Sequence, residues 1–264
     1  MRTYHRILTF ALTGLFLGAG LPVMATPRLV KSGRAGVTGV KVSNGTRLRP
    51  RARSRSRSRT VKPTNKFVFT GGPGVGKTTI INALTARGYV GVSEAARHII
   101  AKEQKKVDRS KARGGSYKGV LPWTDLAKFQ HRVVRQQSLW ETAAARSLQG
   151  ARGKARGTVL DRSFVDPIAY MLEAGMTPRT HPALYKKLFT KIQKAGYKKV
   201  FVLDQLPHYA NDPQRKESAV QAGKLHSRLY DVYRDMGKRY GFDVVRVPAV
   251  GVDKRVDFVL NQMR

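Results

Sequence analysis

The stretch with the most specific chemistry is the run GGPGVGKTT at residues 71–79. It matches the pattern G-x-x-x-x-G-K-[ST] in full, in which glycines let a loop wrap phosphate groups with its main-chain N–H groups turned inward. We expect Lys77 to reach the β- and γ-phosphates of a nucleotide and the Thr78 hydroxyl to bind Mg²⁺. The predicted phosphate-binding residues are Gly71, Gly72, Pro73, Gly74, Val75, Gly76, Lys77, Thr78 and Thr79.

A carboxylate that could share the metal ion lies in the run TVLDRS at residues 158–163. Asp161 ends an apolar strand candidate, where it could hold Mg²⁺ or its water opposite Thr78, and Arg162 would face the phosphates or the acceptor. The alternatives are an acid that begins a loop, with Arg162 in a surface ion pair, and Asp204 as the rival strand-end carboxylate. Because Arg rather than Glu follows Asp161, the water-activating neighbour of large ring-forming ATPases is missing. That difference favours phosphoryl transfer over hydrolysis.

Glu94 is the candidate base for an acceptor hydroxyl, since it follows the second strand candidate at the sheet edge where open α/β sheets bind ligands. We expect a helix over residues 93–102 with Ser93 as its N-cap. The alternative is that Glu94 only complements the helix dipole. Arg97, one turn on, could pair with Glu94 or contact substrate.

Two further segments could serve catalysis. NDPQRKE at residues 211–217 occupies the position of a mobile lid, in which Arg215 could stabilise charge on the transferring group, or else forms a turn before a helix. Trp123, Phe129 and Gln130 lie in an amphipathic stretch that could line an acceptor pocket or belong to the core. The six histidines show no metal-ligand spacing.

The elements that must position these residues alternate between strand and helix. The strand candidates are residues 66–70, 89–93, 158–161, 199–204 and 242–247. The helix candidates are residues 80–87, 93–102, 124–148, 183–195, 221–240 and 252–263. The order predicts an α/β fold, a P-loop three-layer αβα sandwich with a parallel five-stranded sheet and helices on both faces.

The first 64 residues differ from the rest. Basic residues 1–6 and the uncharged run 7–25 predict a signal peptide cut after Ala25; an uncleaved anchor with a cytoplasmic domain, or an organellar transit peptide, remains open. The Arg/Ser-rich segment 26–64 predicts disorder, either as a basic tail for RNA or anionic lipid or as a solvated linker. The predicted folded domain is therefore 65–264.

Composition narrows the classes of function. The chain has 51 Lys and Arg against 16 Asp and Glu, a net charge of +35, which should attract phosphate-bearing partners in a salt-dependent way. It contains no cysteine, so thiol catalysis, disulfides and thiolate metal sites are excluded.

Five runs together resemble one family: GGPGVGKTT, SEAARHII, LPWTDLAKFQ, VLDRSFVDPIAY and NDPQRKES. They resemble the NadR-like AAA-type ATPase/kinase domain, a family that includes the translocation-defect proteins of chloroplasts and animals, over about residues 65–250. The resemblance implies a P-loop kinase core related to nicotinamide-riboside and deoxynucleoside kinases, with ATP as donor. It also implies that Glu94 corresponds to the acid that activates the acceptor hydroxyl, and Asp161, Arg162 and Ser163 to an acid-Arg-Ser motif.

The leading hypothesis is thus Mg²⁺-dependent transfer of the ATP γ-phosphate to a hydroxyl of a small metabolite, such as a nucleoside or ribosyl compound. The chief rival is a non-enzymatic protein whose bound ATP or GTP regulates contact with membrane lipid or a protein partner. The N/T-K-x-D run that would select guanine is absent after the fourth strand candidate. A third hypothesis is a nucleic-acid binder acting through the Arg/Ser tail.

Overall fold

The computed structural model describes residues 65–150, 155–206 and 219–264. The predicted signal peptide, the Arg/Ser-rich segment and the predicted lid with Arg215 lie outside these ranges. None of the helices within the described ranges is both long and apolar enough to cross a bilayer.

Five strands and seven helices alternate along the described chain. The strands are β1 Lys66–Thr70, β2 Val90–Val92, β3 Thr158–Asp161, β4 Lys199–Leu203 and β5 Asp243–Val247. The helices are α1 Lys77–Ala86, α2 Ala95–Ala112, α3 Leu126–Gly150, α4 Asp166–Glu173, α5 Pro182–Ala195, α6 Ala219–Tyr240 and α7 Val252–Met263. The strands form one sheet in the order β2-β3-β1-β4-β5, and every neighbouring pair is parallel. The predicted α/β fold class is confirmed.

The central strands are apolar on both faces because helices cover both faces of the sheet. Phe67, Phe69 and Phe201 belong to a buried cluster with residues of α1 and α7. Val68 and Val200, whose side chains point the opposite way, belong to a second cluster with residues of α4, α5 and α6. The alternation within β1 and β4 therefore divides the core into two layers.

The register of the sheet brings the candidate site together. Phe69 of β1 lies beside Asp161 of β3 on one side and beside Phe201 of β4 on the other. The loop after β1 and the acidic end of β3 thus meet at the carboxyl edge of the sheet, at the point where the strand order reverses. Open α/β sheets bind their ligands in such a crevice.

Helix α2 differs most from expectation. It begins at Ala95 and runs to Ala112, ten residues beyond the predicted end at residue 102. Its buried stripe continues through Glu103, a charged residue that a hydrophobic pattern does not count. The predicted N-cap at Ser93 is wrong: the N-cap is Glu94, with no side-chain capping bond, because its carboxylate faces arginines instead.

Helix α4 was not predicted. It has only 8 residues and begins with Asp166 and Pro167, three residues after the end of the TVLDRS run. So short a segment carries about two turns of periodicity, too few to identify a helix from sequence.

Candidate functional site

The phosphate-loop backbone adopts conformations that require glycine. Gly71 has φ 135°, and a Cβ built there would lie 2.7 Å from the main-chain oxygen of Leu203 at the end of β4. Gly76 has φ 85° and is the N-cap of α1, with no side-chain capping bond. The first N–H groups of α1 are therefore available to an anion, which the helix dipole also favours.

Lys77 lies folded over this loop. Its Nζ donates to the main-chain oxygens of Gly72 at 2.9 Å and Gly71 at 3.3 Å, and the residue is 7% exposed. Burial and the nearby charge of Arg162 lower the pKa of Lys77 from 10.5 to about 8. A polyphosphate held in the loop would favour the charged ammonium, as the sequence pattern predicts.

Asp161 and Thr78 face each other across the crevice. The Thr78 hydroxyl donates to Asp161 Oδ2 at 3.4 Å, and within the described part of the chain Asp161 Oδ1 is buried without a hydrogen-bond partner. Burial, and then repulsion from Glu94, raise the pKa of Asp161. A free carboxylate oxygen beside a hydroxyl suits a hard divalent cation such as Mg²⁺.

The Thr78–Asp161 pair is small for a metal site. In the ranges that the structure describes, no cluster of three or more His, Asp or Glu residues could hold a metal ion. Mg²⁺ commonly binds through one or two carboxylates together with substrate phosphates. The pair therefore fits a cation that arrives with a nucleotide rather than a resident one.

Glu94 lies beside two arginines. Its Oε1 is 3.2 Å from Arg162 Nε, and its Oε2 is 3.5 Å from Arg97 Nε. Burial would raise the pKa of Glu94, but Arg162, Lys77 and Arg97 outweigh it and hold the pKa below its ordinary value. Glu94 is therefore an ionised carboxylate at the mouth of the crevice, and its pairing with Arg97 was one of the two predicted alternatives.

Arg162 is buried, with 8% of its surface exposed, so the alternative of a surface ion pair is wrong. Its backbone has φ 71°, which is uncommon for a residue other than glycine. Two hydrogen bonds involve its backbone. The Arg162 N–H donates to the Phe69 oxygen at 3.0 Å, and Gln137 Nε2 donates to the Arg162 main-chain oxygen at 3.4 Å. The Arg162 guanidinium lies between the carboxylates of Glu94 and Asp166.

Asp166, which the sequence analysis did not assign a role, holds the Arg162 guanidinium from the other side. Its Oδ1 accepts from Thr70 Oγ1 at 2.7 Å and from Arg162 Nη1 at 3.0 Å. Its Oδ2 accepts from the Ser163 N–H at 2.7 Å and from the Tyr233 hydroxyl. In the sequence, the signal for this role is the run DRSFVD at residues 161–166, in which Asp166 is the last residue.

The remaining candidates lie elsewhere. The Asp204 carboxylate is bound by Arg246 Nη2 at 2.9 Å and Nε at 3.1 Å, while Thr78 contacts Asp161. Phe129 is buried in a cluster formed by residues of α2 and α3, which agrees with the alternative of a core residue. Gln130 is also buried, and Trp123 is half-buried.

The model of a family described as AAA domain matches residues 66–255. The chain belongs to the AAA domain family. No curated protein is significantly similar in sequence to this AAA domain chain.

Solved structures resemble the AAA domain at low sequence identity. A NadR protein in complex with NAD and AMP-PNP has TM-score 0.50 and 14% identity, covering 76% of this chain and 50% of that one. A NadR protein in complex with NR has TM-score 0.49 and 15% identity, covering 70% and 44%. Deoxyadenosine kinase from M. mycoides with bound dATP has TM-score 0.48 and 15% identity, covering 75% and 98%.

This chain thus spans about half the length of the NadR chains that it resembles. At 14% identity, the NadR structure with TM-score 0.50 shows a shared α/β fold. The loop at residues 71–79 lies within the range that the family model matches, and the recognition made from the sequence motifs is confirmed.

Proposed function

We propose that this chain is a Mg²⁺-dependent kinase that transfers the γ-phosphate of ATP to a hydroxyl of a small metabolite, such as a nucleoside or a nicotinamide-riboside-like compound. The observation that carries the proposal is the Glu94–Arg162 pair at 3.2 Å, within the electrostatic field of Lys77 and Asp161. In this proposal, Glu94 is the carboxylate that binds the acceptor hydroxyl, and Arg162 is the guanidinium that stabilises the transferring phosphoryl group. NadR proteins and deoxyadenosine kinase share the fold, which is consistent with this class of substrate.

Each residue has a role set by its chemistry. Lys77 and the loop N–H groups hold the phosphates, and Arg162 stabilises charge on the transferring group. Glu94 accepts a hydrogen bond from the acceptor hydroxyl, whose oxygen forms the new bond to the γ-phosphorus as the bond to the β–γ bridging oxygen breaks. The proton passes to Glu94, and ADP leaves. Mg²⁺ bound at Thr78 and Asp161 would neutralise charge on the phosphates.

The lowered pKa of Glu94 fits this chemistry. A weak base is sufficient because the transition state of phosphoryl transfer is loose, so the hydroxyl proton leaves late. The main contributions are then positioning and charge stabilisation. Arg215 could add to the latter, but it lies outside the described residues.

The test is transfer of labelled phosphate from γ-labelled ATP to a panel of nucleosides and ribosyl compounds by the full chain. Glu94→Gln should lower the transfer rate about 10²-fold or more and leave ATP binding intact, whereas Lys77→Ala should abolish both. Glu173→Gln is the matched control, since Glu173 is a half-exposed carboxylate paired with Arg228 at 3.5 Å.

Two results would contradict the proposal. A wild-type protein that binds ATP yet labels no acceptor would favour the nucleotide-regulated binding protein instead. Unchanged transfer by Glu94→Gln would remove Glu94 from the mechanism.

A further inference from the structure

Helix α7 carries a buried arginine that the nucleotide-site motifs do not include. Arg255 lies in the first turn of α7 and is 2% exposed. Its neighbours along the same helix face, Val256 and Val259, are buried apolar residues of the core. Burying a charged group is costly unless its hydrogen bonds are satisfied, so the Arg255 guanidinium should have hydrogen-bond partners inside the core.

The guanidinium donates to three main-chain oxygens from separate segments. Nη1 donates to Val75 in the phosphate loop at 2.7 Å, Nη2 to Asp204 after β4 at 3.1 Å, and Nε to Pro248 after β5 at 2.9 Å. A planar guanidinium has donors in fixed, diverging directions, which suits it to join three carbonyls at once. Arg255 therefore ties the phosphate loop to the ends of two neighbouring strands.

The bond to Val75 bears directly on phosphate binding. In a planar trans peptide the carbonyl and the following N–H point in opposite directions. Since the Val75 oxygen points at Arg255, the Gly76 N–H points away from it, toward the side of the loop opposite α7. Contact here is close, because a Cβ built on Gly76 would lie 3.3 Å from Arg255 Nη1.

We propose that Arg255 is a positioning residue of the nucleotide site, which sets the orientation of the Val75–Gly76 peptide so that the Gly76 N–H can donate to a phosphate. The inference rests on the nucleotide binding within the proposed function and not on phosphoryl transfer. Arg255 does not touch the nucleotide. It acts on polyphosphate affinity through the loop backbone.

The experiment measures binding alone, using the full chain and competition against a fluorescent ATP analogue in the presence of Mg²⁺. Arg255→Met removes all three bonds, and Arg255→Lys keeps the charge but cannot reach three carbonyls. Val259→Ala is the control, since it weakens the packing of the same helix face without touching the loop carbonyl. Affinities for ATP, ADP and AMP are compared, together with the melting temperature of each variant.

We expect Arg255→Met to bind ATP and ADP at least about tenfold more weakly, the loss of one well-formed bond to a charged group. Arg255→Lys should show a smaller loss, and affinity for AMP, which lacks the outer phosphates, should change less in both. Val259→Ala should lower the melting temperature without changing the ratio of ATP to AMP affinity. Should Arg255→Met fail to fold, the Arg255→Lys ratio decides.

The proposal is overturned if ATP and AMP affinities fall equally, if neither Arg255 variant differs from wild type, or if Val259→Ala reproduces the change in ratio. A wild type that binds ATP but transfers no phosphate would refute the kinase and leave this test valid. A wild type that binds no nucleotide would overturn both.

Discussion

Asp166→Asn is the substitution that most directly separates positioning from packing in this site. It preserves the shape of the side chain but removes its charge and replaces one acceptor oxygen with a donor. Each oxygen of Asp166 accepts two hydrogen bonds, one pair from Thr70 and Arg162 and the other from Ser163 and Tyr233. In either amide orientation, one donor that cannot accept, the Arg162 guanidinium or the Ser163 N–H, therefore faces an N–H group.

The magnitude follows from these contacts. A hydrogen bond to a charged group contributes about 1.5–3 kcal/mol, and the substitution removes one such bond and the charge that strengthens the other three. The free energy of unfolding should therefore fall by about 3 kcal/mol. Arg162 pairs with the carboxylates of Glu94 and Asp166, and of these two the Asp166→Asn variant would keep Glu94 alone. A guanidinium with one ionised partner instead of two is held less firmly, which should reduce the rate of phosphoryl transfer by at least about tenfold.

Urea denaturation gives the stability, and the labelled-ATP assay gives the rate. Glu103→Gln is the matched control, because Glu103 is a buried carboxylate in the middle of α2 that accepts hydrogen bonds from the Tyr117 hydroxyl and the Val120 N–H. It should lower stability comparably without lowering the transfer rate at saturating ATP. Asp166→Asn with wild-type stability would refute the contact argument, and an unchanged rate would refute the positioning of Arg162.

Three further predictions concern other parts of the chain. Burial would raise the pKa of Glu103, but hydrogen bonds from its neighbours lower that pKa from 4.5 to about 2. The ionised carboxylate therefore stabilises the fold above pH 4.5, and this contribution is lost as the pH falls toward 2. Urea titrations should show Glu103→Gln less stable by up to about 3 kcal/mol at pH 6, with the gap closing below pH 4.5; a constant gap would contradict the shift. Gly71→Ala, which would bring a Cβ within 2.7 Å of the Leu203 oxygen at φ 135°, should weaken ATP binding at least about tenfold by calorimetry, and unaltered affinity would argue against a rigid loop. Gly237→Ala would bring a Cβ within 2.7 Å of the Phe242 oxygen and should cost about 1–3 kcal/mol of stability in thermal unfolding while leaving ATP affinity unchanged, and wild-type stability would show that α6 shifts freely.

The local elements were predictable because each leaves a short-range pattern. Strand β1 and the glycine loop are adjacent in sequence, so composition and spacing sufficed to identify them. The start of α2 was misjudged because the Glu94 carboxylate contacts Arg162, a residue far along the chain, instead of leaving the cap to Ser93. A rule based on neighbouring residues cannot anticipate a contact between residues so far apart in sequence.

By itself, then, the sequence determined the strand, glycine loop and helix of residues 66–86, the parallel α/β class and the acids that end or follow two strands. These features depend on residues close together in the chain. The tertiary structure decided which side chains hold the candidate site residues in place. Asp166 meets Thr70 across 96 residues and Tyr233 across 67, and Arg255 reaches Val75 across 180. Such partners are chosen by how helices pack on the sheet, a property of the whole chain that periodicity in any one segment does not contain.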